Sequence, residues 1–388
     1  MSNFGSKSVS GCADTQDPIR VMVVDDSAVI RGLLARTLEG DPDIRVVASV
    51  GDGQMAINSL QRNSIDVIVL DVEMPVMDGL TAIPKLLAVC PSVKIIMAST
   101  LTLRNADISM RALQAGAADY IPKPTTTREI SSAENFKRDL VSKVKVLGAN
   151  ARRAGTRART DVRTTTLPPT TGMPIFKKHE SAGPPVVRPL PTVTARPDVI
   201  AIGSSTGGPQ ALFEVLSHLK GGVNQPILIT QHMPATFTTI LAEHITRQCG
   251  IVCAEAKEGE VIVDGRAYVA PGDYHMLVTS RGSGLALTLS KDAPENFCRP
   301  AVDPMLRSVV RAYGRKVLAV ILTGMGQDGM RGCQDVTAAG GVVIGQDEAS
   351  SVVWGMPGAV ATAGLCSAIL PLKEIGPYIR KFALRTAA

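Results

Sequence analysis

Aromatic residues and long apolar runs are scarce in this sequence of 388 residues. Only 3% of the residues are aromatic, so the hydrophobic cores must be built mainly from Val, Ile, Leu, Ala and Met. The seven cysteines are scattered and odd in number, which argues against a disulfide framework. No apolar run approaches the roughly 18 residues that span a bilayer, and the first twenty residues contain no secretory signal pattern. These absences predict a cytoplasmic protein that does not insert into a membrane.

The net charge of +6 is unevenly distributed along the chain. Residues 143–196 contain eleven Lys and Arg against two acidic residues, so this stretch alone exceeds the positive charge of the whole chain. Thr, Arg and Pro dominate from about residue 148 onward, and such a composition buries too little apolar surface to offset its ordering entropy. We therefore predict a basic flexible linker over 141–197 and no nucleic-acid-binding face.

Two blocks of alternating strand and helix patterns flank this linker. The first occupies residues 19–140 and the second residues 198–388, while residues 1–18 read as a disordered leader. Regular β–α alternation predicts parallel sheets with right-handed crossover connections. The predicted fold class is α/β, with a flavodoxin-like doubly wound domain followed by a second doubly wound α/β domain.

Three polar groups of the first block follow short apolar runs. Asp25 and Asp26 come after the first predicted strand, Asp71 after the third, and Lys123 after the fifth. The carboxyl ends of parallel strands meet at one edge, and carboxylate oxygens there suit a hard divalent cation beside a phosphoryl group. Taken singly, Asp26-Ser27 is also a helix cap and Lys123-Pro124 also a turn. Together they favour a protein that is switched by phosphorylation.

On these motifs, residues 19–140 resemble a two-component receiver domain. The resemblance implies that Asp71 accepts a phosphoryl group from a chemotaxis histidine kinase and that Lys123 pairs with the phosphate. It implies a switch pair formed by Ser99 and Tyr120. The implied Mg²⁺ ligands are Asp25, Asp26, Asp71 and the backbone carbonyl of Glu73.

The second block opens with the run Gly203–Pro209 between a predicted strand and a predicted helix. A dinucleotide-binding loop would need G-x-G-x-x-G and an acidic residue about twenty positions later, and neither is present. Ser204 or Ser205 taken alone could simply cap the helix. A nucleophilic serine would instead need a base and an orienting acid at neighbouring strand ends.

A histidine and an aspartate stand where such partners are required. His232 follows the predicted strand 226–230, and Asp328 follows 317–322, so both leave the same sheet edge as Ser205. The Met325 amide is a candidate oxyanion donor among glycines. His275 is a rival base, although it follows a turn rather than a core strand. Because G-x-S-x-G is absent, spacing alone leaves this triad open.

Residues 198–388 resemble the catalytic domain of chemotaxis protein-glutamate methylesterases. The resemblance implies Ser205 as nucleophile, His232 as general base and then acid, and Asp328 as orienting acid, without a metal. The implied substrates are glutamate methyl esters on methyl-accepting chemotaxis receptors, with deamidation of certain receptor glutamines as a second activity. Ser204 departs from the family's more usual Ala. The matching stretches are Gly203–Gly208, Gln231–Pro234, Pro271–Met276, Pro300–Pro304, Leu322–Gly329 and Trp354–Gly358.

Two other function classes are weighed against this interpretation. A DNA-binding response regulator would carry its basic residues on a helix-turn-helix or winged helix, whereas here they lie in the predicted linker. A nucleotide-binding oxidoreductase is disfavoured by the glycine spacing after the strand that ends near Gly203.

Overall fold

The computed structural model describes residues 17–100, 102–123, 130–161, 187–190, 196–282 and 284–384. The first block forms the predicted parallel sheet, with five strands in the order β2-β1-β3-β4-β5. Strand β3 is buried along its whole length, as expected when helices cover both faces of a parallel sheet. The elements of this block are β1 (Ile19–Val24), α1 (Ala28–Glu39), β2 (Ile44–Val50), α2 (Gly53–Arg62), β3 (Val67–Asp71), α3 (Gly79–Val89), β4 (Lys94–Ser99), α4 (Leu103–Gln114), β5 (Asp119–Pro122) and α5 (Ile130–Asp161).

The second block forms a seven-stranded parallel sheet in the order β14-β13-β12-β6-β7-β9-β8, together with a separate antiparallel hairpin, β10-β11. The elements are β6 (Val199–Ser204), α6 (Gly208–Ser217), β7 (Ile227–Gln231), α7 (Ala235–Cys249), β8 (Val252–Glu255), β9 (Arg266–Val269), β10 (His275–Arg281), β11 (Gly284–Ser290), α8 (Val302–Tyr313), β12 (Val317–Ile321), α9 (Met330–Ala338), β13 (Val342–Gln346), α10 (Met356–Thr362), β14 (Ala368–Leu370) and α11 (Leu372–Ala383).

The start of the predicted flexible linker is wrong. Helix α5 continues to Asp161, so residues 141–161 are helical. Leu140, Val144 and Leu147 are buried at helical spacing in the core cluster of the first sheet, and Ala151 is buried one turn further on. This apolar stripe explains why the basic stretch is helical. The rest of the predicted linker, apart from 187–190 and 196–197, lies outside the described residues, as does the predicted leader up to residue 16.

Candidate functional site

The first sheet edge brings together the residues predicted to form the phosphoacceptor site. Carboxylate oxygens of Asp25, Asp26 and Asp71 lie within 4.8 Å of one another. The Lys123 ammonium is 2.5 Å from Asp25 Oδ2 and 2.7 Å from Asp71 Oδ1. Burial raises the pKa of Asp71, although the Lys123 charge opposes this rise. An all-oxygen set of three carboxylates fits a hard divalent cation such as Mg²⁺.

The two predicted switch residues are both buried. The Ser99 hydroxyl lies 3.0 Å from that of Ser109 on α4. The Tyr120 ring stacks on Phe237 of α7, with 4.4 Å between ring centroids and 9° between ring planes. Tyr120 therefore belongs to the contact between the two sheets as well as to the first sheet.

The second sheet edge positions Ser205 directly after β6, the strand between β12 and β7. Its amide donates to the Thr323 carbonyl, and its carbonyl accepts from Gln231 Nε2. A side chain at Gly324 would collide with the Ser205 Cβ at 2.8 Å, so glycine is required for this close approach. The serine is thus held by groups from both neighbouring strands.

His232 and Asp328 are in direct contact. His232 Nε2 lies 2.7 Å from Asp328 Oδ2, and the Asp328 side chain is almost fully buried. Burial would raise the pKa of Asp328, but hydrogen bonds from His232 and from the backbone amides of Val302 and Asp303 hold this pKa below its ordinary value. These two amides open α8, and a helix N-terminus stabilises negative charge. The carboxylate is therefore kept ionised.

The other ring nitrogen of His232 faces a cysteine. His232 Nδ1 lies 3.4 Å from Cys298 Sγ, and across the described residues the Ser205 hydroxyl makes no hydrogen bond to the ring. Burial would lower the pKa of His232, but charge and hydrogen bonding from Cys298 and Asp328 outweigh burial and raise it to about 10. The groups around the ring therefore favour its protonated form.

The Met325 amide lies in the turn after β12, next to Ser205. In the part of the chain that the structure describes, this amide has no backbone hydrogen-bond partner. The Met325 side chain packs against a hydrophobic cluster of the first block that also includes Val353. The turn therefore leaves this amide without a backbone partner among the described residues, and its side chain contacts the first block.

The rival base, His275, has a different surrounding. It begins β10 and is 2% exposed. Its Nδ1 accepts from the Ala301 amide, and its Nε2 lies 3.2 Å from the Ala293 carbonyl. His275 therefore fixes the segment that leads into α8.

The turn that carries Ser205 is covered by the first block. Thr206, next to Ser205, donates its hydroxyl to Asp119 Oδ2 at 2.7 Å, and Lys143 of α5 lies 3.0 Å from the same oxygen. Burial lowers the pKa of Lys143, but Asp119 and Asp139 outweigh burial and raise it. Asp139 is close enough for its charge to interact with that of His232. The first block therefore lies directly against the Ser205 edge.

A second set of contacts joins α4 to α6 and α7. Asp107 Oδ1 lies 2.8 Å from His244 Nε2. Gln210 Nε2 donates to the carbonyls of Leu113 and Ala117 at 3.1 and 2.7 Å. These polar bonds fix the orientation of the two sheets beside the stacked aromatic pair.

Comparison with known proteins identifies the chain. A model for the CheB methylesterase matches residues 200–379, and one for the response regulator receiver domain matches residues 21–134. The protein-glutamate methylesterase/protein-glutamine glutaminase of Azospirillum brasilense is 74% identical over 377 residues, covering 96% of this chain and 94% of that protein. That of the group 2 operon of Rhodospirillum centenum is 69% identical over 392 residues, covering 99% of each. The chain belongs to the CheB methylesterase family.

A solved structure is also similar to the second block. The CheB methylesterase catalytic domain of Thermotoga maritima is 37% identical, with a TM-score of 0.47, and the match covers 48% of this chain and 99% of that one. Family membership confirms the predicted fold class, the predicted hydrolase class and the receiver, and it argues against the DNA-binding alternative. Receiver domains of this family bind Mg²⁺, and the acidic cluster is consistent with it. The helices in the described part of the chain lack the combination of length and apolar character that a membrane span requires.

Several residues of this methylesterase-family site were missed from the sequence. Gln231 accepts from the Ser204 hydroxyl at 2.6 Å and donates to the Ser205 carbonyl, and its place beside His232 was a usable signal. Cys298 and Asn296 reach the site from a loop that follows the β10-β11 hairpin. Nothing in their sequence spacing connects them to a strand end.

Proposed function

We propose that this chain hydrolyses glutamate methyl esters and deamidates glutamines through Ser205, His232 and Asp328. The Ser205 oxygen attacks the ester carbonyl while its proton passes to His232 Nδ1, the nitrogen opposite Asp328. The Met325 amide donates to the oxyanion. His232 then gives the proton to the leaving methoxy oxygen, which departs as methanol, or to the leaving amide nitrogen, which departs as ammonia. Water then attacks the acyl-enzyme in the same way and releases glutamate. The observation that carries the proposal is the 2.7 Å His232–Asp328 contact beside the Ser205 turn.

The substrates and partners follow from the relatives' names and the family. The curated relatives are protein-glutamate methylesterases and protein-glutamine glutaminases, so we infer methylated chemotaxis receptors as substrates. A chemotaxis histidine kinase would supply the phosphoryl group to Asp71. Asp25, Asp26 and Asp71 would hold Mg²⁺, which when bound offsets the negative charge of the phosphoryl oxygens.

Docking of the first block supports an occlusion mechanism. The proposed receiver unit ends with α5, and the catalytic unit begins near residue 198. Thr206 bonded to Asp119 and Phe237 stacked on Tyr120 leave the Ser205 edge covered by the receiver. Phosphorylation of Asp71 would draw Ser99 and Tyr120 toward the phosphate, weaken the stack and open the edge to receptor helices.

The direct test is methanol release from methyl-labelled receptor by the full chain. Ser205→Ala should lower the rate by about 10³-fold or more, because the acyl-enzyme cannot form. Asp71 should still be phosphorylated in this variant, because its carboxylate lies in the other block. Turnover that survives Ser205→Ala would place the nucleophile elsewhere.

A further inference from the structure

A tight turn between β11 and α8 covers the buried Asp328. Glu295 and Cys298 exchange two backbone hydrogen bonds at 3.1 and 2.9 Å, and the two residues between them have positive φ, 51° at Asn296 and 63° at Phe297. Asparagine tolerates this conformation, whereas it is costly for phenylalanine. Backbone strain of this kind persists where surrounding contacts over-determine the conformation.

Asn296 bridges two buried carboxylates. Its Nδ2 donates to Asp328 Oδ1 at 3.0 Å and to Asp303 Oδ2 at 3.1 Å. Asp303 and Asp328 are each 1% exposed. An amide NH₂ group has two hydrogens, so it can serve both acceptors at once. Burial and the Asp328 charge raise the pKa of Asp303.

The remaining donors to Asp328 come mostly from the backbone. Oδ1 also accepts from the amides of Asp303 and Gly329, and Oδ2 accepts from Val302 and His232. Within the described ranges, Asn296 is therefore the one side chain besides His232 that holds this carboxylate. Its removal would leave two neighbouring carboxylates without a donor between them, and such a pair tends to share a proton.

We propose that Asn296 is a positioning residue of the esterase, which keeps Asp328 ionised and aimed at His232 by separating it from Asp303. The inference rests on the proposed role of Asp328. Hydrogen bonds to charged groups are among the stronger ones in proteins. If the free energy of this bond is lost from the transition state, removing the donor should lower kcat about 10- to 100-fold. KM should stay within about twofold, because Asp328 is buried away from the substrate.

The experiment uses the full chain activated with acetyl phosphate and Mg²⁺, with kcat and KM measured by methanol release. Asn296→Gly removes the amide while accepting a positive φ. Asn296→Asp keeps the shape and tolerates the turn, but it replaces the donor with an acceptor. Both variants should lose kcat by the expected factor. Asn224→Gly is the matched control, since Asn224 is exposed at the opposite end of β7.

A rescue variant separates positioning from a merely structural role. Asp303→Asn keeps an oxygen for the Gly332 amide, which lies 2.7 Å from Asp303 Oδ1, but it removes the competing charge. In the Asn296→Gly background, Asp303→Asn should raise kcat at least about tenfold if Asn296→Gly alone has lowered it about 100-fold. A double-mutant cycle measures this coupling between the two positions. If Asn296→Gly had simply unfolded the loop, Asp303→Asn would not restore kcat.

The remaining outcomes distinguish failure of the role proposed for Asn296 from failure of the proposed esterase function. Asn296→Asp with kcat within twofold of the parent, or no rescue by Asp303→Asn, would overturn the role of Asn296. Ser205→Ala and Asp328→Asn are measured in the same assay. If they lose activity while the Asn296 variants keep it, the inference alone fails. If they keep activity, the proposed function itself fails.

Discussion

The phosphoacceptor edge and the esterase edge both place carboxylates at the ends of parallel strands, but they balance charge differently. At the first, Asp25, Asp26 and Asp71 lie within 4.8 Å of one another, with Lys123 as the nearby cation. At the second, Asp328 receives three backbone amides and two side chains. The first edge is therefore suited to respond to an added cation or phosphate. The second balances its carboxylate with protein groups, and we propose that it is controlled by covering it.

The largest expected effect concerns the histidine that serves as the proposed general base at the esterase edge. His232→Ala should lower hydrolysis about 10³-fold or more, whereas His275→Ala should cost at least tenfold less, because His275 bonds only to backbone groups in the described structure. Methanol release by the two variants decides the matter. A greater loss in His275→Ala would make the base assignment wrong.

Removing Mg²⁺ or its proposed ligand Asp71 should affect phosphorylation and basal hydrolysis differently. Asp71→Ala, or chelation of Mg²⁺, should abolish activation by acetyl phosphate while basal hydrolysis continues, because the proposed triad uses no metal. Phosphorylation and methanol release are measured on the same samples. Basal hydrolysis that disappears in chelator would indicate a metal in the catalytic domain.

The pH dependence tests the contact between His232 and Cys298. His232 must be neutral to accept the serine proton, so a raised pKa confines basal hydrolysis to higher pH. Cys298→Ala removes one of the groups that raise the pKa of His232 and leaves Asp328. The acidic limb of the basal pH–rate profile should therefore move to lower pH.

Cys90→Ala, in the receiver, is the control for this shift. An acidic limb that stays in place, or moves upward, in Cys298→Ala would mean that the sulfur does not influence the base.

The smallest effect is expected at the docking contact. Gln210→Ala removes two hydrogen bonds to the receiver, and each bond contributes on the order of 1 kcal/mol. The unphosphorylated rate should rise about two- to tenfold, and the phosphorylated rate should stay the same. Gln334→Ala, exposed on α9, should change neither rate. A Gln210→Ala protein with the parent basal rate would contradict occlusion through this contact.

The two sheets could be predicted from the alternation of strand and helix patterns. The residues at their edges could be predicted because each follows directly after a predicted strand. Asp71 and His232 could be placed from the strands that precede them. Asn296 and Cys298 could not, because they arrive from a hairpin loop whose path depends on tertiary packing. The helical conformation of residues 141–161 was also missed, since their charge obscured the apolar stripe that includes Leu147 and Ala151.

Helix α5 has a consequence for how such proteins can be recombined. Arg138 lies over the Phe297 ring at 4.7 Å from its centroid, Lys143 reaches Asp119, and Asn150 donates to the Val352 carbonyl at 2.6 Å. One continuous helix thus belongs to the receiver core and also contacts the catalytic block at Phe297 and Val352. A chimaera that exchanged receivers at residue 140 would divide that helix between two parents. The unit to exchange is the receiver together with all of α5, so the junction should be placed after Asp161.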